Sequence, residues 1–418
     1  MPGGVISAFF TFFCPEKAVN AACACFLCRF LLSWQTEEAM FLHTFTYRKA
    51  LPEEMPELLD LANYVFSNAH EPHNFATLLP KVYAPDAPYD EAEQFEAVRD
   101  DGRIRALVAM RHMTLTTPAG QLHIGFVGTV SVHPYDRGEG HMKQLMRVMR
   151  EAAEAQGVDI LVLGGQRQRY QYFGFEKAGC RMRFTVTKTN IRHALHDADA
   201  SGITFADFDG ADEKQKAFAA DLHERKAVRI ERARDRFGVI LHSWHSDSSV
   251  VLDGGKMIGF TAGNGMEITL ENDAQLLRVI KAMMTERKLD SLTVDVQPWD
   301  HERIAILSSL AEDWKLTVPD MACVIDWAHV LPVLMNLRGM ITPLLDGACV
   351  LSIDGNAYKL TVQDGKPHAE ATCDPADLTL TNMEAQQLLF GLQGMTKLHP
   401  QLMNWLPLPM DVPATDGF

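Results

Sequence analysis

A run of alternating apolar residues, 126–132, stops at His133-Pro134, and Arg137, Gly138 and Gly140 follow within a few positions. The alternation predicts a strand, and the proline ends it because it cannot donate to a sheet ladder. Met142, Leu145, Met146, Met149, Ala152 and Ala153 then fall on one face at helical spacing. Strand, glycine turn and helix in that order make an anion site. Glycine lets the backbone close on a ligand. The first helical N–H groups have no internal partner, and the positive end of the helix dipole lies behind them. Arg137 adds a planar fork suited to phosphate oxygens. The competing reading of such a turn is a surface loop that binds nothing.

The chain around this stretch has the composition of a globular protein of several domains: 418 residues, 47% hydrophobic and 22% charged. Its net charge of -15 argues against a nucleic-acid backbone as partner and suits steering of a cationic amine. Eight cysteines lack zinc-ligand spacing, so no metal is expected, and scattered cysteines in apolar surroundings read as reduced residues of a cytoplasmic protein. In residues 1–39 two apolar runs are broken by Cys14-Pro15-Glu16-Lys17, and neither reaches the ~20 residues that span a bilayer. We expect the natural start at Met40, residues 1–39 being a non-native or disordered extension, and no membrane partner.

From residue 45 the pattern gives a strand, a helix bearing Met55, Leu58, Leu59 and Ala62, a hairpin about Asp101-Gly102, the long strand 122–132 and a helix over 140–156 closed by Gly157. The apolar run 160–163 reads as a strand buried on both faces. Residues 196–320 repeat the theme without a second Arg-x-x-Gly-x-Gly turn. Beyond them we expect a helix over 321–337, a hairpin about Asp354-Gly355-Asn356, and an apolar, proline-stiffened tail from Trp405 to Met410.

Arg137-Gly138-Glu139-Gly140-His141-Met142 resembles motif A of the GNAT superfamily of acyl-CoA-dependent N-acyltransferases, R/Q-x-x-G-x-G/A, with Met142 where the family has Gly or Ala. The layout of residues 40–418 is similar to the enhanced intracellular survival (Eis) family of N-acetyltransferases, whose Tyr-x-x-Phe-Gly is matched by Tyr170, Phe173 and Gly174 and whose members commonly end in phenylalanine, as at Phe418. The resemblance implies an α/β (α+β) protein of tandem GNAT folds and a sterol-carrier-protein-like ending. The catalytic unit would be residues 40–195, a second unit without cofactor 196–320, and the last domain 321–418, its tail reaching the active site.

The resemblance implies acetyl-CoA as co-substrate and a primary amine (lysine, polyamine or aminoglycoside type) as acceptor. Val130 and Val132 would pair with the pantetheine arm, and Arg137, Gly138, Gly140, His141 and Met142 would cup the phosphates. Tyr170 would be the general acid, with Tyr172 competing, and the α-carboxylate of Phe418 the base. His133 and His141 are more ordinary as packing or hydrogen-bonding residues than as bases. Asp416 and Glu71 read either as attractors of a cationic substrate or as solvated surface acids. Relatives assemble into hexamers, so a homo-oligomer is expected. The alternatives are a non-catalytic acyl-CoA or lipid carrier, or an acyltransferase for longer acyl chains.

Overall fold

The computed structural model describes residues 43–69, 71–391 and 402–418; the expected extension at residues 1–39 lies outside them. From Phe45 to Phe418 the chain forms one unit of mixed α/β architecture. Its first strands are β1 (Phe45–Lys49), β2 (Ala92–Arg99), β3 (Ile104–Thr117), β4 (Gly120–Val132), β5 (Ile160–Leu163) and β6 (Glu176–Ala178). β1 to β4 form an antiparallel meander, and β5 joins β4 in parallel through Ile124–Ile160, Gly125–Leu161 and Phe126–Val162. Helix α1 (Met55–Ala69) covers one face. Helix α2 (His141–Ala155) covers the other, burying Leu145, Met146, Met149 and Ala153 against Phe95, Val108, Met110 and Leu161. Gly157 at φ 71° ends α2, and the Val158 N–H closes on the Ala153 carbonyl at 3.0 Å, as a left-handed cap requires.

Two smaller sheets follow. β7 (Arg181–Thr187) lies between β13 (Ser291–Val296) and β14 (Asp313–Thr317). β8 (Ile203–Asp207), β10 (Ser248–Asp253), β11 (Lys256–Ala262) and β12 (Glu267–Leu270) form the other, in the order β12-β11-β10-β8. The two-residue strand β9 (Arg229–Ile230) reaches back to pair with β3. Strand pairing therefore ties β7, which precedes residue 195, to strands that follow it.

One expectation fails here. Residues 321–324 do not begin a helix. Asp320–Val324 is β15, antiparallel to both β5 and β6 and inserted between them. Met321, Ala322, Cys323 and Val324 are all buried. A four-residue apolar run has no periodicity that separates strand from helix, and its length suits a strand. The helix starts later, as α3 (Trp327–Ile341), with Asp326 capping it by accepting from the His329 N–H at 3.2 Å.

α3 is apolar on most sides because it is covered on most sides. It packs between the first sheet (Leu115, Leu122, Ile124, Val162) and the C-terminal sheet, built from β16 (Gly347–Ile353), β17 (Asn356–Gln363), β18 (Lys366–Ala371) and β19 (Leu378–Leu380). Trp405, Leu406, Leu408, Met410 and Val412 of the tail enter the same core, each at most 4% exposed. The four cysteines of the described residues are free thiols, with Cys180, Cys323 and Cys349 buried. Among the described residues no helix is long and apolar enough to cross a membrane.

The tail is thus core, not a loose end. Trp405, 1% exposed, donates its indole N–H to the Leu345 carbonyl at 2.9 Å. Trp405→Ala should cost about 3–5 kcal/mol, read as a lower urea midpoint; an unchanged midpoint would mean the tail carries no core energy.

Candidate active site

β4 and β5 stop pairing after Phe126, although β4 runs on to Val132. On its other side β4 stays paired with β3, through an irregularity between Leu107 and Ala109. β5 itself ends at Leu163, and three residues past Phe126 β4 bends at Thr129, which has φ 43°, a conformation that a β-branched residue rarely adopts. Its hydroxyl lies 2.5 Å from the buried Tyr83 phenol, which holds the bulge in place. The backbone from Gly128 to Val132 thereby keeps polar groups with no strand partner on the β5 side.

At the outer end of this gap lies the glycine turn. Gly138 (φ 91°) and Gly140 (φ 87°) are left-handed, and a Cβ on either would meet nothing within 4 Å. Gly140 is the N-cap of α2 and offers no side chain to cap the first amides, so they stay available to an anion. Arg137 is exposed, held loosely by its Nε to the Val132 carbonyl at 3.4 Å. Val130, Val132 and Met142 are half-buried beside it. These positions fit a diphosphate and an extended pantetheine arm.

His141 is, by its ring, a packing and hydrogen-bonding residue. Its ring is 2% exposed, packed 4.2 Å from the Phe45 ring, with Nδ1 2.9 Å from the Tyr47 hydroxyl and Nε2 3.3 Å from Glu139. Only its backbone amide faces the turn as a first-turn donor. His133 is held by Arg105 at 2.7 Å, and burial together with that charge lowers its pKa. Glu71 is exposed.

At the inner end a cavity of about 560 Å³ opens, lined by Val127 to Val130, Gly164, Gly165, Tyr170, Trp244 and Phe418. Tyr170 and Phe418, far apart in sequence, share it. Tyr170 is 8% exposed, and burial raises its phenol above the ordinary value against the opposing charge of Arg169. Tyr172 is 66% exposed and lies outside this cavity, under the Lys143 ammonium at 5.5 Å. The Phe418 ring packs 6.4 Å from that of Phe126 and directly over Gly128, where an added Cβ would fall 2.2 Å from the ring. The Phe418 backbone oxygen accepts from the Trp244 indole N–H at 3.0 Å. Trp244 itself is left-handed, φ 59°.

Buried charges hold the tail there. Arg181 grips the Asp411 carboxylate (2.9 Å) and the Val412 carbonyl (2.5 Å). Lys81 donates to the Thr415 carbonyl and Arg111 to the Asp416 carbonyl, each at 2.7 Å. Arg232 clasps Asp416 with Nε (2.8 Å) and Nη2 (2.7 Å) and leans on Glu267 at 2.9 Å. Asp416 is therefore neither a surface acid nor a substrate attractor: it is fully buried and its charge is spent on Arg232. Burial alone would raise its carboxyl, but the guanidinium outweighs that and holds it below the usual value. Burial and the Arg111 charge push the Lys81 ammonium well down. Trp244, Arg232, Arg111 and Lys81 escape sequence reasoning. No spacing links them to residue 416, and only the fold brings them together.

Comparison with known proteins agrees with the fold. Residues 46–178 match the family model of the acetyltransferase (GNAT) domain. No curated protein matches by sequence. Solved structures that share the fold over most of the chain include the following three. The first is a probable N-acyltransferase from Enterococcus faecalis V583 (TM-score 0.61, 15% identity, 87% of this chain and 95% of that one). The second is a GCN5-related N-acetyltransferase from Kribbella flavida (0.61, 15%, 89% and 97%). The third is Eis1 from Mycobacterium abscessus (0.59, 13%, 90% and 100%). The protein is an enzyme of the N-acetyltransferase class, and its acetyltransferase domain is of the GNAT type.

The clasp gives a test. Removing one partner of a buried pair costs about 3–5 kcal/mol, so Asp416→Ala should free the last residues. Amide exchange over 412–418 should quicken at least tenfold; unchanged protection there would show that Arg232 does not hold the tail.

Proposed function

We propose that this chain transfers an acetyl group from acetyl-CoA to a primary amine, with Tyr170 as general acid and the Phe418 α-carboxylate as base. The observation that carries the reading is the shared cavity: the phenol, the last residue and the unpaired edge of β4 line one space at the foot of the glycine turn. We assign catalysis to residues 40–195 with β15 completing their sheet. Residues 196–320 form the second GNAT-like unit, sharing β7, and residues 321–418 the sterol-carrier-like part that delivers the tail.

Holding comes first. Backbone amides at Gly138, Gly140, His141 and Met142, with Arg137, take the diphosphate, and the free polar groups of Val130 and Val132 pair with the pantetheine amides. A β4 amide aimed at the thioester oxygen stabilises the charge that develops there, a contribution typically worth ~3 kcal/mol.

Proton traffic follows. An alkylamine of pKa ~10 arrives mostly protonated, so it must lose a proton before its lone pair attacks the thioester carbon. The carboxylate of Phe418 accepts that proton. The C–N bond forms, the C–S bond breaks, the electron pair leaves with sulfur, and the nitrogen sheds its second proton to solvent as the amide forms. Tyr170 then protonates the thiolate and regains a proton from solvent. A phenol of ordinary pKa ~10 is protonated through the neutral range; burial raises it further and makes it a weaker donor. A thiolate of pKa ~8.5 is a fair leaving group unaided, so the acid's contribution is the smaller of the two, ~10²-fold.

Tyr170→Phe should lower kcat about a hundredfold while the Kd for acetyl-CoA stays within twofold, measured by thiol release and calorimetry. Three alanines appended after Phe418 should cut kcat by at least about 10³ without changing that Kd. Full turnover in the extended protein would remove the terminal carboxylate from the reaction.

A further inference from the structure

The acceptor side of the cavity is aromatic. Phe66 stands edge-on to Phe75 at 5.0 Å, Phe75 is edge-on to Trp244 at 6.3 Å, and Phe418 with Phe126 closes the opposite wall. Trp244 has spent its indole N–H on the Phe418 oxygen, so it offers the acceptor only its faces.

Side-chain charge is scarce there. Among the described lining residues the only side-chain acid is Asp320; of the two guanidiniums, Arg169 and Arg181, the second is already paired with Asp411 and Asp295. Burial pushes the Asp320 carboxyl up to about 6, even though the Arg181 charge opposes the shift, so it is the single weakened side-chain carboxylate on this side. The acids that could hold a chain of ammonium groups lie elsewhere. Glu271, Asp300 and Glu302 line a separate cavity of about 500 Å³, which meets this one only at Pro413. A second ammonium packed against the Phe66–Phe75–Trp244 wall would lose its water with only the Asp320 carboxylate in the cavity to replace it. A single ammonium has the chain-end carboxylate and the ring faces, and an apolar body gains by leaving water.

We infer that the acceptor is a primary monoamine with an aromatic or bulky apolar body, packed between the Phe66–Phe75–Trp244 wall and Phe418, and that polyamines and aminoglycosides are poor acceptors. The net charge of -15 does not contradict this, because the excess acids are not in the cleft. The inference rests on the acetyl-transfer reading.

The test compares 2-phenylethylamine and tryptamine with spermidine and kanamycin on the full chain, by thiol release. We expect kcat/KM for the aromatic amines to exceed that for the polycations at least 100-fold, carried mostly by KM. Phe66→Asp, at a half-buried position, should cut the aromatic kcat/KM at least tenfold and raise that for spermidine. Equal or better turnover of spermidine by the unaltered protein would overturn the inference and leave acetyl transfer standing. If no amine releases thiol, calorimetry decides: 2-phenylethylamine binding tighter than spermidine keeps the pocket assignment and rejects transfer, while the reverse order rejects the pocket assignment.

Discussion

The parting of β4 from β5 after Phe126 is the constraint on which the rest depends. A continuous sheet would satisfy its own backbone groups and leave nothing for a ligand. Here the strained Thr129 bulge turns β4 aside while β4 keeps its partner β3, so the unpaired groups face one gap. Strain of this kind costs of order 1–3 kcal/mol and persists only where the surroundings enforce it. Tyr83 on one side and the Phe418 ring packed on Gly128 on the other are those surroundings.

The gap has two ends with opposite chemistry. Outside, left-handed glycines and uncapped amides of α2 suit an anion. Inside, aromatic rings and a buried phenol line the cavity. The tail joins the inner end to the rest of the molecule. It runs through the core shared by α3 and the C-terminal sheet, then is clasped at Asp411 and Asp416 by arginines from other elements. Four buried cations (Lys81, Arg111, Arg181 and Arg232) are spent on eight residues of tail. That is a large commitment of desolvated charge, of the sort that fixes a position rather than adds net stability.

What could be read in the sequence follows the range of its interactions. The strand, turn and helix around residues 126–155 were legible because period, proline and glycine are local signals. The candidate pair Tyr170 and Phe418 came from resemblance, and the fold does bring them to one cavity. Residues 321–324 are not legible locally because four apolar residues carry no period; sheet pairing decides their state. Asp416 looks solvated as a lone acid near a terminus, because its partner lies 184 residues away. The His141 ring packs as its position beside the turn suggests, but its particular contacts with Phe45 and Tyr47 come only from the fold. Trp244 had no local signal at all.

The most direct measurement is amide hydrogen exchange over residues 128–146 and 412–418, with and without saturating coenzyme A. The account predicts slow exchange of the tail in both states and new protection on coenzyme addition confined to Val130, Val132 and the 138–142 turn. Coenzyme protection that maps to other segments, or a tail that exchanges freely in both states, would contradict it.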